Sequence, residues 1–367
     1  MRLIVALLSL VATALAGACT PAPDASKVGT GPIVGATCPG GANFITSKVQ
    51  VLPIRQKTFH DNFGGYGTQY VAPSGSPATG TPEASQLQQA FDLAPPWFRS
   101  ALCTDVDIIF IDPTDYGPGP GHPLSDPELG WAFWEATTPR QGSGTHTFIG
   151  ISKASFYSDD SADLRSFERT VFTSLLPKQS SYPSFMPRFA SGVQDGRSLA
   201  LLAILAHEMG HLFWHVTCDS RMNQTNQRGC FKEFHALGWS SVGTAWNGAN
   251  GRGIHFFGTE LPGATHRAGP SPQEVLRDVP PYDKVRQALQ SGVWASVFGS
   301  VAPDEDTAET YKLLVLVGAN QFSDIDINFN DGASNNWNAN SSLQNGALCQ
   351  KANFIRSKLG QSSVACP

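Results

Sequence analysis

Apolar positions along this chain fall into short alternating runs and a few long blocks, and the two patterns predict different elements. Phe44 to Leu52 has the alternation of a strand, and Ala72 to Pro82 reads as a loop. Gln86 to Leu93 suits a short helix, and Pro95-Pro96 permits another through Leu102. Asp105 to Asp112 (D-V-D-I-I-F-I-D), closed by Pro113, is the clearest strand, and Thr145 to Phe156 alternates enough to be a second. Ser166 to Leu176 is helical up to Pro177. Ser198 to Val216 is apolar nearly all round, so it predicts a buried helix. Further on, Phe231 to Leu237 and Pro281 to Leu289 read as short helices around a loop-rich stretch from Gly238 to Gly269. Pro303 then opens a helix that turns apolar at Leu313. Ser323 to Gly332 is expected to turn; its acidic residues resemble a calcium loop only faintly, because Trp337 stands where the bidentate Glu belongs.

Composition narrows the class. The 367 residues are 41% apolar, enough for one large domain or two lobes. Charged residues make up 15%, with a net charge of −5, so no basic face argues for nucleic acid. Met1 to Ala18 reads as a secretory signal, with Arg2 before an apolar run and Ala16-Gly17-Ala18 at its end. Residues 19–41, rich in Pro, Gly, Ala and Thr, read as a flexible tether. The stretch before Cys19 also resembles a bacterial lipobox, with Ala16 where that pattern usually has Leu. Seven cysteines are an odd number for an exported chain. Lipidation of Cys19, which would attach the protein to a membrane, leaves six. Spacing then suggests Cys218–Cys230 and Cys349–Cys366 as local bridges, with Cys38–Cys103 remaining. Ala42-Asn43-Phe44-Ile45-Thr46-Ser47-Lys48 nearly repeats at Ala352 to Lys358, which is too little for a repeat fold.

The buried helix carries the chemistry. His207 and His211 stand four residues apart, so both rings leave one face and can reach a single Zn²⁺ at ~2.0–2.1 Å. Glu208 falls beside that ion, where it can act as general base toward a metal-bound water. Titratable groups on an otherwise apolar helix need a partner, and a metal supplies one. His215 lies another turn along and reads as a packing or capping residue.

His207-Glu208-Met209-Gly210-His211 resembles the HExxH signature of the zinc metallopeptidases called zincins. The position where metzincins carry a third His is Thr217 here, and the aspzincin pattern is not evident. Pro303 to Tyr311 (P-D-E-D-T-A-E-T-Y) resembles the second helix of the gluzincins and is similar to the E-x-x-A-E helix of the anthrax lethal factor group. That resemblance implies that Glu305 is the third ligand and that Glu309 orients a ligand His from behind, with Glu309 and Asp306 as alternative ligands.

The resemblance implies an α+β, zincin-like fold. A mixed β-sheet and the active-site helix would form an N-terminal lobe (residues 42–217), and a mainly helical C-terminal lobe (218–367) would carry the third ligand. Zincins hold extended substrate on an edge strand, and Phe148 to Ser152 is the candidate. Tyr311, His255, His235 and Tyr282 are candidate donors to the oxyanion. The expected function is an extracytoplasmic zinc metallopeptidase acting on a peptide or protein substrate. A non-catalytic, zinc-stabilised surface-binding lipoprotein and a host-targeting toxin protease are the rivals.

Overall fold

The computed structural model describes residues 36–53, 75–113, 130–136, 145–174, 184–189, 195–217, 234, 237–238, 292–296, 298–300, 303–319, 322–328, 334–337, 342–344 and 346–366. Their architecture is mixed α and β.

In chain order the first elements are α1 (Phe44–Lys48), β1 (Val49–Val51), β2 (Ser76–Pro77), α2 (Pro82–Leu93), α3 (Pro96–Thr104) and β3 (Ile108–Asp112). Next come β4 (Gly130–Ala136), β5 (Thr145–Ser152), α4 (Ala154–Tyr157), α5 (Leu164–Ser174), β6 (Ser184–Phe189) and α6 (Arg197–Thr217). The last are α7 (Pro303–Gly318), β7 (Phe322–Asn328), β8 (Ser334–Trp337) and α8 (Gly346–Lys358).

Local chemistry explains several boundaries. Asn43 caps α1, its side chain accepting from the Thr46 amide at 3.1 Å, so Phe44 to Lys48 coil and only Val49 to Val51 pair as a strand. The strand expected from Phe44 is thereby corrected. Thr81 caps α2 in the same way, with Pro82 at the first helical position and Glu83 in the first turn, so that helix starts four residues before Gln86. The strand expected through Phe156 stops at Ser152, and α4 follows.

The larger sheet has the order β2-β1-β3-β5-β4. The pairs β1–β3 and β3–β5 are parallel, while β4 runs antiparallel to β5, with Trp131 opposite Gly150. The edge-strand assignment is therefore corrected: β5, with Phe148 to Ser152, lies inside the sheet, and among the described strands β4 is at the edge. Helix α6 crosses this sheet against β4 and β5, and α7 packs along α6. Leu199 to Ala206 are all buried, as are Leu313 to Leu316 of α7, within one hydrophobic cluster. The smaller sheet, β6-β7-β8, is antiparallel and joins a strand from before α6 to two from after α7. Residues 322–328 lie in its middle strand, which replaces the turn and the faint calcium loop expected from Ser323.

Residues 36–41 are pinned rather than a tether. Cys38 is bonded to Cys103, the Ala36 amide donates to Asp92 Oδ1 at 2.7 Å, and the Gln88 side chain donates to the Ala36 carbonyl at 3.0 Å. The Cys349–Cys366 bridge is also formed, while residues 218 and 230 lie outside the described residues. So do residues 1–35, with the signal segment and Cys19. No helix among the described residues is long and apolar enough to cross a membrane. The two near-identical heptapeptides do different work. Asn43 caps a helix, whereas Asn353 inside α8 donates to the Val364 carbonyl at 2.7 Å and accepts from the Val364 amide at 2.9 Å, holding the C-terminal segment.

Candidate metal centre

Ala and Leu are strong helix formers, and α6 uses them to carry its polar residues into the core without a break. His207, Glu208 and His211 are each at most 6% exposed. Across from them, α7 brings in Glu305, which is 1% exposed. The two Nε2 atoms of His207 and His211 lie 3.1 Å apart, and Glu305 Oε2 is 3.4 Å from the first and 3.5 Å from the second. Three ligands at ~2.0–2.1 Å from one tetrahedral ion would sit ~3.3 Å from one another, so this triangle has the right size for one.

The donors also suit a cation. Glu305 Oε2 has no hydrogen-bond donor among the described residues, although it is fully buried. A carboxylate so placed is costly without positive charge nearby. Two imidazole nitrogens and one carboxylate oxygen make a donor set that suits a divalent metal ion. His207, His211 and Glu305 therefore make up a buried group that could hold a metal ion.

Behind this group, Glu309 meets the far side of a ligand. Its Oε1 lies 2.7 Å from His207 Nδ1, so with Nε2 turned toward the ligand cluster, Nδ1 carries the proton and donates it. Glu309 Oε2 accepts from the Ser296 hydroxyl and forms an ion pair with Lys312 Nζ at 2.8 Å. Lys312 in turn reaches Glu168 Oε1 on α5, also at 2.8 Å. Burial alone would raise the Glu309 pKa, but the Lys312 ammonium and the His207 hydrogen bond outweigh it and hold the carboxyl below the ordinary range. Phe298 closes the other side, stacked on the His207 ring at 5.5 Å between centroids.

Glu208 lies against the edge strand. A Cβ on Gly130 would come 2.9 Å from Glu208 Oε1 and 2.8 Å from Ile204 Cγ2, so β4 runs so close to α6 that any side chain here would displace one of them.

Other expected residues fall elsewhere. Asp306 is engaged by Lys351 of α8 at 2.7 Å. Tyr311 is corrected as an oxyanion donor: it is fully buried in an aromatic nest, with ring centroids 5.6 Å from Trp97, 6.0 Å from Phe98 and 5.5 Å from Phe213. Burial there pushes its pKa above the ordinary tyrosine value. His255, His235 and Tyr282 lie outside the described residues. Sequence reading missed Ser296, Gly130, Lys312 and Glu168. Lys312 had a signal, being a lone cation at the head of the apolar run Leu313 to Val317.

No known family, curated protein or solved structure matches this chain.

Proposed function

We propose that the protein is a zinc-dependent peptidase of zincin-like architecture, exported from the cytoplasm, acting on extended peptide or protein substrates. The observation that carries this reading is the buried triangle of His207 Nε2, His211 Nε2 and Glu305 Oε2, with Glu208 next to the first ligand on the same helix. His207, His211 and Glu305 would hold the ion, and Glu309 would fix the tautomer of His207. Zinc bound there supplies a Lewis acid and brings the pKa of a water down toward ~7. Glu208 takes the proton of the attacking water and hands it to the leaving amine, which is the work of a general base turned general acid. Strand β4 offers an edge for an extended substrate to pair with, directly above Glu208.

Export is supported by the signal-like Met1 to Ala18 and by two disulfides, which persist in oxidising compartments. The deciding experiment is metal analysis of the purified protein, combined with a proteome-derived peptide library digested with and without chelator. We expect about one zinc per chain and cleavage that disappears on chelation. Zinc without any cleavage would leave the non-catalytic zinc-stabilised binding protein, and no zinc would end the peptidase reading.

A further inference from the structure

A buried lysine stands behind the candidate metal centre. Lys312 is 4% exposed, Glu168 5% and Glu309 1%, and the three form a continuous chain that ends on a ring of the candidate metal centre. Taking an ammonium into a protein interior costs several kcal/mol, and an apolar side chain of the same size is often as stable or more so. Packing therefore gives no reason for a cation here. Lys312 also sits 5.6 Å from the centre of the Phe167 ring, next to Glu168 on α5, so α5 grips the ammonium with two neighbouring side chains.

Resting on the metal-centre reading above, we propose that Lys312, anchored by Glu168, is a positioning residue of the zinc site. It clamps Glu309 Oε2, so that Oε1 presents itself to His207 Nδ1 and the ring holds Nε2 toward His211 and Glu305. The carboxylate of Glu309 is then held by three groups: hydrogen bonds to His207 Nδ1–H and the Ser296 hydroxyl, and the ion pair with the Lys312 ammonium. Without the ammonium, one oxygen keeps only a neutral donor and the carboxylate can turn about its last bond, letting the imidazole swing. Glu168 matters because it aims the lysine from a different helix. The arm of the site thus extends from α7 to α5, running from His207 through Glu309 and Lys312 to Glu168.

The test uses full-length protein and measures zinc affinity by competition with a chromophoric chelator, together with the visible spectrum of the Co²⁺-substituted form. The double variant Glu168→Gln/Lys312→Met removes the cation and neutralises its anchor, so the net charge of the buried group is unchanged while Glu309 keeps only the His207 and Ser296 donors, and Glu168→Gln alone is the milder second variant. Losing a group behind a metal-ligating His typically weakens binding 10–100-fold, so we expect about 10-fold for the double variant and about 3-fold for Glu168→Gln. The Co²⁺ bands should shift in both. Lys312→Arg, which keeps the bridge, should recover most of the affinity. A purely structural role would lower the melting temperature of apo and zinc-loaded protein equally and leave affinity and spectrum as in wild type, and that result overturns the proposal. If wild type takes up no zinc that His211→Ala loses, the metal-centre reading falls as well, which separates the two failures.

Discussion

Gly210 lies so close to Ala308 that a Cβ on the glycine would come 2.6 Å from the Ala308 Cα and 3.1 Å from its carbonyl oxygen. This is where α6 and α7 touch. The glycine inside the H-E-M-G-H motif is thus what lets the Glu305 helix approach two histidines on its neighbour. An alanine would ordinarily favour an exposed helix by ~1 kcal/mol over glycine. Here the neighbour is backbone, which cannot rotate away, and overpacking of this kind costs about 1–3 kcal/mol. Gly210→Ala should therefore destabilise the fold in chemical denaturation. It should also lower zinc content, because separating the helices moves Glu305 Oε2 away from both Nε2 atoms.

Glu208 and Glu305 are both buried carboxylates on neighbouring helices, yet their substitutions should differ in kind. Glu305→Ala removes a corner of the triangle and should reduce zinc affinity, read by chelator competition. Glu208→Gln keeps the shape and the three ligands, so zinc should stay bound. Peptide hydrolysis should nonetheless fall by ~10²–10⁴, the typical contribution of a positioned general base. A Gln variant cleaving at the wild-type rate would remove the base assignment.

Strand β4 and α6 meet at Gly130, where an added methyl would press on Glu208 Oε1 and on Ile204 Cγ2. The end of a glutamate side chain can yield, so Gly130→Ala should fold. What yields is the proposed base. The expected outcome is a lowered kcat with zinc content and melting temperature close to wild type. Loss of fold rather than of turnover would mean that Ile204 is the harder wall.

Much of this site was legible before the fold was known, because helix geometry is local. Four-residue spacing places His207 with His211, and Glu305 with Glu309, on shared faces. The same phase could have removed Tyr311: six residues at about 100° each put it roughly 120° round the helix from Glu305, whereas Lys312 returns to within about 20°. The edge strand was not legible. Gly130 to Ala136 reads G-W-A-F-W-E-A, without clean alternation, and its place in the sheet depends on pairing with Thr145 to Ile151 rather than on its own pattern. For the same reason the alternating run at Phe148 to Ser152 revealed a strand but not that it has neighbours on both sides. Glu168 gave no signal either, since a lone Glu on a helix is usually solvated and its partner is 144 residues away, at Lys312 (312 − 168 = 144).

Tyr157 supplies a prediction about pH. Its hydroxyl donates to Glu83 Oε1 at 2.5 Å, and partial burial together with that carboxylate pushes its pKa up to about 12. The unfolded chain would lose this proton near the ordinary value of ~10. Between those values the folded protein holds a proton that the unfolded one has released, so this contribution to stability is present below pH ~10 and is lost as pH rises through the folded value. Ultraviolet titration should show a late-ionising tyrosine that disappears in Tyr157→Phe, and Glu83→Gln should bring it earlier.

The ion pair of Lys351 with Asp306 ties the third-ligand helix to α8. Both side chains are fully buried, with Nζ 2.7 Å from the carboxylate, 2.9 Å from the Val293 carbonyl and 4.0 Å from the centre of the Trp294 ring. Burial lowers the Lys351 pKa from its ordinary value, with Asp306 opposing the shift. Removing one partner of such a pair leaves a charge in the interior, at a cost of about 3–5 kcal/mol, whereas removing both is often close to neutral. Lys351→Met should therefore be strongly destabilised in urea, and adding Asp306→Asn should restore much of the loss. Asp306 is the neighbour of Glu305 in sequence, so zinc affinity should follow the same order: weakest in Lys351→Met, partly recovered in the double variant. A single variant as stable as wild type would show that water reaches the pair and that the α7–α8 seam is looser than the buried geometry implies.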